Sequence, residues 1–435
     1  MNTKVKIINN ALMLAAGLMF VAGCGYNNAR DDAPAAEAAK RATGSADAKY
    51  SLEIGGTSRR LGISLRTGAE WTIDPAIQRI VSEALARHAD TNDTGRGFAA
   101  VVSVGDGAVL AMADCGVGDE SERPFALMRT FEPGHLLSPL MVAAAFDADI
   151  AKPDTELFTN ALEGFYQQFK LPSDAGYVFE SSLSVSNGLI YSSNIILSKL
   201  GILVGPATVH SVFDRFGICH MTAAGMLPEH PGRLRPPEKW AKNEWARIPI
   251  GQGVTVNLMQ IVRAYAILAN HGRSVDLRYV KGASAASSES AEQIVSRKAA
   301  DGVCSILEGA VSAADLKGVD VSEEEMRNDL ARCLVKPMPT GRRAAVAGVR
   351  VAGKTSTSLR RKEDSWKYET DRYVASFAGF FPADNPSFVV AVCFETRRQE
   401  GLPYLHFGGG RPAMAFAEIV KEMSFGHNRA QTKGK

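Results

Sequence analysis

The chain has 435 residues, 46% of them hydrophobic and 22% charged, with a formal net charge of +2. That length accommodates one large domain or two ordinary ones around a full core. The nearly neutral balance provides no basic field for nucleic acid, and that class of partner is excluded.

At the N-terminus Lys4 and Lys6 precede an apolar run from Ala11 to Ala22, and no further charge occurs before Arg30. The run falls short of the roughly 20 residues a spanning helix needs. A basic start, a short apolar stretch and small residues before a boundary read as a secretory signal over residues 1–24. Val21-Ala22-Gly23-Cys24 resembles the lipobox of bacterial lipoproteins, which implies lipidation of Cys24 and attachment to a membrane. The alternative is a short transmembrane anchor. Residues 25–68 open with an Ala/Asp/Glu/Lys mixture that lacks large apolar side chains and reads as a flexible tether.

A folded domain is expected over residues 69–425. Asp74-Pro75 is a helix start, with a capping carboxylate and a proline at the first helical position. Ile77, Ile80, Val81, Ala84 and Leu85 follow at helical spacing. Phe98–Val104, the turn Gly105-Asp106-Gly107 and Ala108–Ala113 form a hairpin signal. The middle third is mainly helical, with an apolar stripe of Leu258, Ile261, Val262, Tyr265 and Leu268 ended by Gly272. Residues 283–301 begin as a polar loop, and Ala313 to Arg343 reads as an insertion. Strands are expected at Ala345–Ala352, Val374–Gly379 and Phe388–Glu395. A last amphipathic helix covers Pro412 to Met423, and residues 426–435 form a basic tail. There are no internal repeats, and the order of elements predicts an α+β fold with an antiparallel sheet covered by helices.

Beyond Cys24 the cysteines are Cys115, Cys219, Cys304, Cys333 and Cys393, with no Cys-x-x-Cys pair. The histidines show no i,i+4 pairing, so no metal or other cofactor is expected. One or two disulfides remain open in an exported protein.

The chemistry lies in short blocks. Ser192-Ser193-Asn194 and Gly353-Lys354-Thr355-Ser356-Thr357 offer hydroxyls, an amide and a cation, the polar walls that a serine acyl-transfer enzyme needs. Such an enzyme also needs a serine with a lysine three residues later, because a desolvated neutral lysine can take the serine proton. No serine in this chain has a lysine at that position.

These blocks resemble the transpeptidase domain of class B penicillin-binding proteins, whose superfamily includes the serine β-lactamases. Thr72-Ile73-Asp74-Pro75 is similar to that family's domain opening. Phe131-Glu132-Pro133-Gly134 is similar to its lead-in to the nucleophile, with Ser138-Pro139 where Lys-Pro is expected. Gly251-Gln252-Gly253 resembles a further block, as do Phe377–Pro382 and Gly408-Gly409. The resemblance covers about residues 70–425 and implies a five-stranded antiparallel sheet flanked by helices, plus a helical region, framing a cleft. It places His135 at the serine position, Ser138 at the lysine position and Ser356 at a glycine position. The implied oxyanion donors are the N–H groups of residue 135 and Thr357. The cleft set is Ser192, Asn194, Lys354, Thr355, Ser356 and Thr357.

Ser192 and Asn194 also fit a plain helix-capping role before Ile195, Ile196 and Leu197. His135, at a helix N-terminus, is expected neutral. With only Ser138 three residues on, nothing orients it as a base, which favours a hydrogen-bonding histidine over a catalytic one. The resemblance and its departures together predict a catalytically inactive relative of a peptidoglycan D,D-transpeptidase. It would bind stem peptides or cell-wall synthesis proteins, with β-lactams held at most non-covalently. An active transpeptidase or D,D-carboxypeptidase with an unconventional nucleophile is the alternative. A structural lipoprotein with a closed cleft is another.

Overall fold

The computed structural model describes residues 48–50, 63–65, 70–89, 95–116, 124–174, 181–223, 228–282, 291–311, 338–362, 367–398 and 405–432. Its centre is a five-stranded antiparallel sheet: β1 Gly97–Ser103, β2 Val109–Cys115, β3 Ala352–Arg361, β4 Tyr368–Phe381 and β5 Phe388–Arg397. The spatial order is β2-β1-β5-β4-β3, so β2 and β3 form the two edges.

The period-2 rule sorts the sheet's side chains onto two cores. Ala99, Val101, Val390, Val392 and Phe394 face helices α1 (Pro75–His88) and α7 (Arg411–Thr432), where Val81, Ala84, Leu85, Phe416, Ile419 and Val420 are buried. Phe98, Ala100, Val102, Val389, Ala391 and Cys393 face the larger core. That core is built from α2 (Ser138–Asp147), α3 (Asn194–Val204), α4 (Pro206–Arg215), α5 (Leu258–Ala269) and α6 (Arg297–Val311). In α2 every residue from Ser138 to Ala145 is buried. A helix apolar on all sides belongs inside a protein, and here it holds the turn that precedes it.

Helix α1 starts as its sequence predicts: Asp74 accepts hydrogen bonds from the N–H groups of Ala76 and Ile77, with Pro75 at the first helical position. Gln78 of the same helix bonds the backbone of Met112 in both directions, at 3.1 and 2.9 Å, which blunts the β2 edge. Among the described residues the β3 edge has no neighbouring strand, and it faces the cleft.

Several expected elements differ. The tether region contains a pair of short antiparallel strands, Ala48–Tyr50 and Ile63–Leu65. The strand expected at Ala345–Ala352 begins only at Ala352, because Val346 to Val349 closes into a tight turn with Gly348 at φ +79°. The last helix runs to Thr432 rather than ending at Met423, with no proline after Pro412 to stop it. Cys115, Cys219, Cys304 and Cys393 carry free thiols; Cys24 and Cys333 lie outside the described residues. No single described helix is long and apolar enough to cross a membrane, and no described cluster of side chains could hold a metal ion.

Candidate active-site cleft

A cleft of about 640 Å³ opens between the β3 edge and the helical region. His135, Ser192, Asn194, Thr355, Ser356 and Thr357 all line it. Lys354 lies just behind the lining, fully buried, and reaches Ser192.

The floor is a backbone approach that only glycines permit. Gly134, at φ +51°, donates its N–H to the carbonyl of Gly251 at 3.1 Å, and a Cβ on Gly251 would strike Gly134's backbone. Glu132 accepts from the N–H of Gly253 at 3.2 Å and from the Tyr368 hydroxyl, while Ser358 donates to the Glu132 carbonyl. The Phe-Glu-Pro-Gly block, the Gly-Gln-Gly block and strand β3 are thereby locked together.

His135 sits in a 3-10 turn, Gly134–Leu136, directly ahead of α2. Its Nε2 is 2.9 Å from Asn194 Oδ1, and its Nδ1 is 3.0 Å from Ser138 Oγ. Asn194 spends its Nδ2 on the carbonyl of Ser173 at 2.8 Å, which fixes the amide orientation. Oδ1 can only accept, so Nε2 carries the proton and Nδ1 accepts from the Ser138 hydroxyl. Burial, and then the nearby charge of Lys354, push the imidazole down to about 3, so the ring is neutral. The orienting partner that the sequence did not reveal is Asn194. Ser138, the hydroxyl at the other end, has no exposed surface at all.

The helix cap is Ser193, not its neighbours: its hydroxyl accepts from the N–H of Ile196 at 3.2 Å. Ser192 is held at φ +58° outside the helix, and Asn194 is the first helical residue, so both side chains turn to the cleft. Thr340 was not anticipated from the sequence. Its hydroxyl donates to the Ile190 carbonyl and accepts from Thr355 at 2.8 Å, leaving Ser192 to donate to it at 3.3 Å. Lys354 in turn donates to Ser192 and to the carbonyl of Thr355. Every proton in this relay therefore points away from the lysine. Desolvation by burial brings Lys354 down to about 7.

Lys354, Ser356 and Ser358 project from the same side of β3. Ser356 packs where a Cβ on Gly134 would need to be, and its hydroxyl is buried without a hydrogen-bond partner among the described residues. Gly408 lies against the Ser356 backbone and donates its N–H to Thr357 Oγ1 at 3.0 Å.

The penicillin binding protein transpeptidase domain family matches residues 97–421 of the chain. The chain belongs to that family. Its relatives place it with the class B proteins. It is 26% identical over 376 residues to penicillin-binding protein PbpB of Mycolicibacterium smegmatis, covering 82% of this chain and 54% of that protein. It is 27% identical to the probable peptidoglycan D,D-transpeptidase PenA of Neisseria gonorrhoeae, covering 80% and 55%. The transpeptidase domain of Burkholderia pseudomallei penicillin-binding protein 3 superposes with a TM-score of 0.67 at 27% identity, over 84% of this chain and 98% of that one. The chain thus spans about half the length of the curated relatives it matches. As a class B transpeptidase domain it has the expected α+β fold, and its sheet edge, helix N-terminus and lead-in turn enclose one cleft.

Proposed function

We propose that this class B transpeptidase domain is catalytically silent and keeps its cleft to bind peptidoglycan stem peptides, or the proteins that handle them, during cell-wall synthesis or division. The observation that carries this reading is the state of His135. A nucleophile at that position needs a free hydroxyl beside a base, and here both ring nitrogens are already hydrogen-bonded, to Asn194 and Ser138. Removing the serine from an assembled catalytic group costs on the order of 10⁶ in turnover. One observation favours the alternative of an unconventional nucleophile: Ser138, His135 and Asn194 are linked as hydroxyl, imidazole and orienting group. The complete burial of Ser138 weighs against it, since no acyl group reaches that oxygen.

Fluorescent penicillin is expected to leave no covalent label on the purified protein after denaturing electrophoresis. A stoichiometric band abolished by Ser138→Ala or His135→Gln would overturn the silent reading in favour of the alternative.

The domain over 69–425 is proposed to face the periplasm on a tether (25–68) anchored through lipid on Cys24. Support comes from the apolar run too short to span and from the small residues before the cysteine. Mass spectrometry of the mature N-terminus is expected to find an acylated Cys24, and recovery of an intact Met1 would replace the lipid with a single-span anchor.

A further inference from the structure

Leu162 and Phe165 lie at the surface of the helical region, 73% and 42% exposed, and Leu162 is the most exposed large apolar side chain among the described residues. Both belong to one well-supported turn. Asn160 Oδ1 accepts from the N–H of Leu162 at 2.9 Å, and Gly164–Phe169 closes as a 3-10 helix. Beneath it runs an aromatic ladder: Phe165 packs on Phe169 with centroids 5.2 Å apart, and Phe169 on Trp245 at 5.8 Å. Phe169 is buried with Ile202 and Ala246 in a small core of its own. The one acid between Thr159 and Pro172 is Glu163. Its carboxylate is drawn inward to Lys199 of α3, which is 1% exposed and donates to Glu163 at 2.6 Å and to the Phe158 carbonyl at 2.8 Å. Two exposed lysines border the turn: Lys170 ends it at φ +48°, and Lys242 donates to Gln168 at 2.8 Å. A lone exposed leucine is ordinary. An apolar pair on a braced turn, with the local acid withdrawn and lysines at its border, is a built surface.

We infer that this turn docks on an anionic lipid surface, with Leu162 and Phe165 entering the boundary between headgroups and acyl chains and Lys170 and Lys242 meeting the lipid phosphates. This rests on the proposed anchoring of the chain and adds the face that it presents to the bilayer. Two observations select lipid as the partner. Interfacial binding needs apolar area together with attraction to anionic headgroups, and the turn offers both while its one carboxylate is neutralised from within. Residues 25–68 number 44, and a linker of that length has an r.m.s. span of roughly 35–40 Å, so an anchored domain meets the bilayer continually. A surface this small binds weakly alone, and tethering raises its effective concentration. Docking also bears on the cleft. From Lys170 the chain runs directly to Ser173 and Asp174, which accept hydrogen bonds from Asn194 and Ser193 at the N-terminus of α3. The turn and that cleft wall are one continuous piece, so docking fixes how the cleft is aimed relative to the lipid.

The test is photolabelling of the full chain, held by its own anchor in vesicles of phosphatidylethanolamine and phosphatidylglycerol that carry a diazirine on the acyl chain. Mass spectrometry then maps the lipid adducts. Adducts are expected on residues 160–170, and not on Met221 or Phe425, two other exposed apolar side chains. Leu162→Asp with Phe165→Ser is expected to reduce the adducts at least about tenfold, the scale of losing one buried apolar side chain. Lys170→Glu with Lys242→Glu is expected to reduce them as well, while leaving the apolar pair in place. All four positions are at the surface, so the variants keep the fold. Equal labelling at Leu162, Met221 and Phe425 would overturn docking in favour of random collision. Adducts confined to the N-terminal segment would overturn docking, leave the anchoring intact and assign the apolar pair to a protein partner. Failure of the chain to stay with the vesicles would overturn both.

Discussion

Putting serine at 135 and lysine at 138 is expected to leave penicillin acylation near background, and adding Ser356→Gly is expected to raise it by at least about a hundredfold. The double substitution restores the hydroxyl and places an amine on α2 within the buried neighbourhood that keeps lysine neutral. A lysine there can also use Asn194 Oδ1, the acceptor His135 now occupies. What it does not restore is the space between β3 and the Gly134 turn. Ser356 fills that gap, packed against Gly134 with its hydroxyl buried and, among the described residues, unpartnered. The family resemblance implies that a substrate carbonyl lies against the strand there, with the N–H groups of residue 135 and Thr357 as oxyanion donors. Misplacing one such donor costs roughly 10²–10³ in rate, which sets the size of the expected gain. The measurement is the rate of acylation by fluorescent penicillin in the double and triple variants. Equal and fast labelling in both would show Ser356 to be harmless. Silence in both would show that the site has diverged beyond these three positions.

Much of this site is legible in the sequence because its parts are local. Phe131–Gly134, Gly251–Gly253, Ser192–Asn194 and Lys354–Thr357 each carry their conformation in a few residues, with glycines at the close approaches. The structure joins them through bonds such as Gly134 N–H to the Gly251 carbonyl. What escaped is set by tertiary contact. Asn194 as the orienter of His135 depends on a bond spanning 59 positions, and no spacing rule reaches that far. Thr340 comes from an irregular segment without periodicity, where only the finished fold shows what a side chain meets. The sequence predicts β3 too early because Ala345, Val346, Val349 and Val351 mimic an apolar strand, whereas the true strand carries polar residues toward the cleft. The sequence does not single out Ser193 as the cap because its neighbours have side chains equally suited to capping, and backbone angles at Ser192 decide the matter.

Glu395→Ala is expected to cost about 3–5 kcal/mol of folding stability, the range for breaking a buried ion group by removing one of its members. Glu395, on β5, is 5% exposed and meets three guanidinium groups: Arg129 at 2.7 Å, Arg96 at 3.3 Å and Arg360 at 3.5 Å. Those arginines come from the lead-in to the cleft, the start of β1 and the end of β3, so one carboxylate ties the site's approach segment to three strands. Arg96 also lies over the ring of Phe125, 5.3 Å from its centroid, which draws the short helix before the lead-in into the same cluster. Glu395→Gln keeps the shape but not the charge, and is expected to lose most of the same stability because the arginines repel one another once the carboxylate is gone. A surface pair offers the contrast. Arg79 and Glu83 are 64% and 47% exposed, and Glu83→Ala is expected to change stability by less than about 1 kcal/mol. Urea unfolding of the three variants decides the matter. A loss under about 1 kcal/mol for Glu395→Ala would mean that water or rearranged neighbours replace the carboxylate, and that the lead-in turn is held by Gly134, Gly251 and the apolar packing of α2 alone.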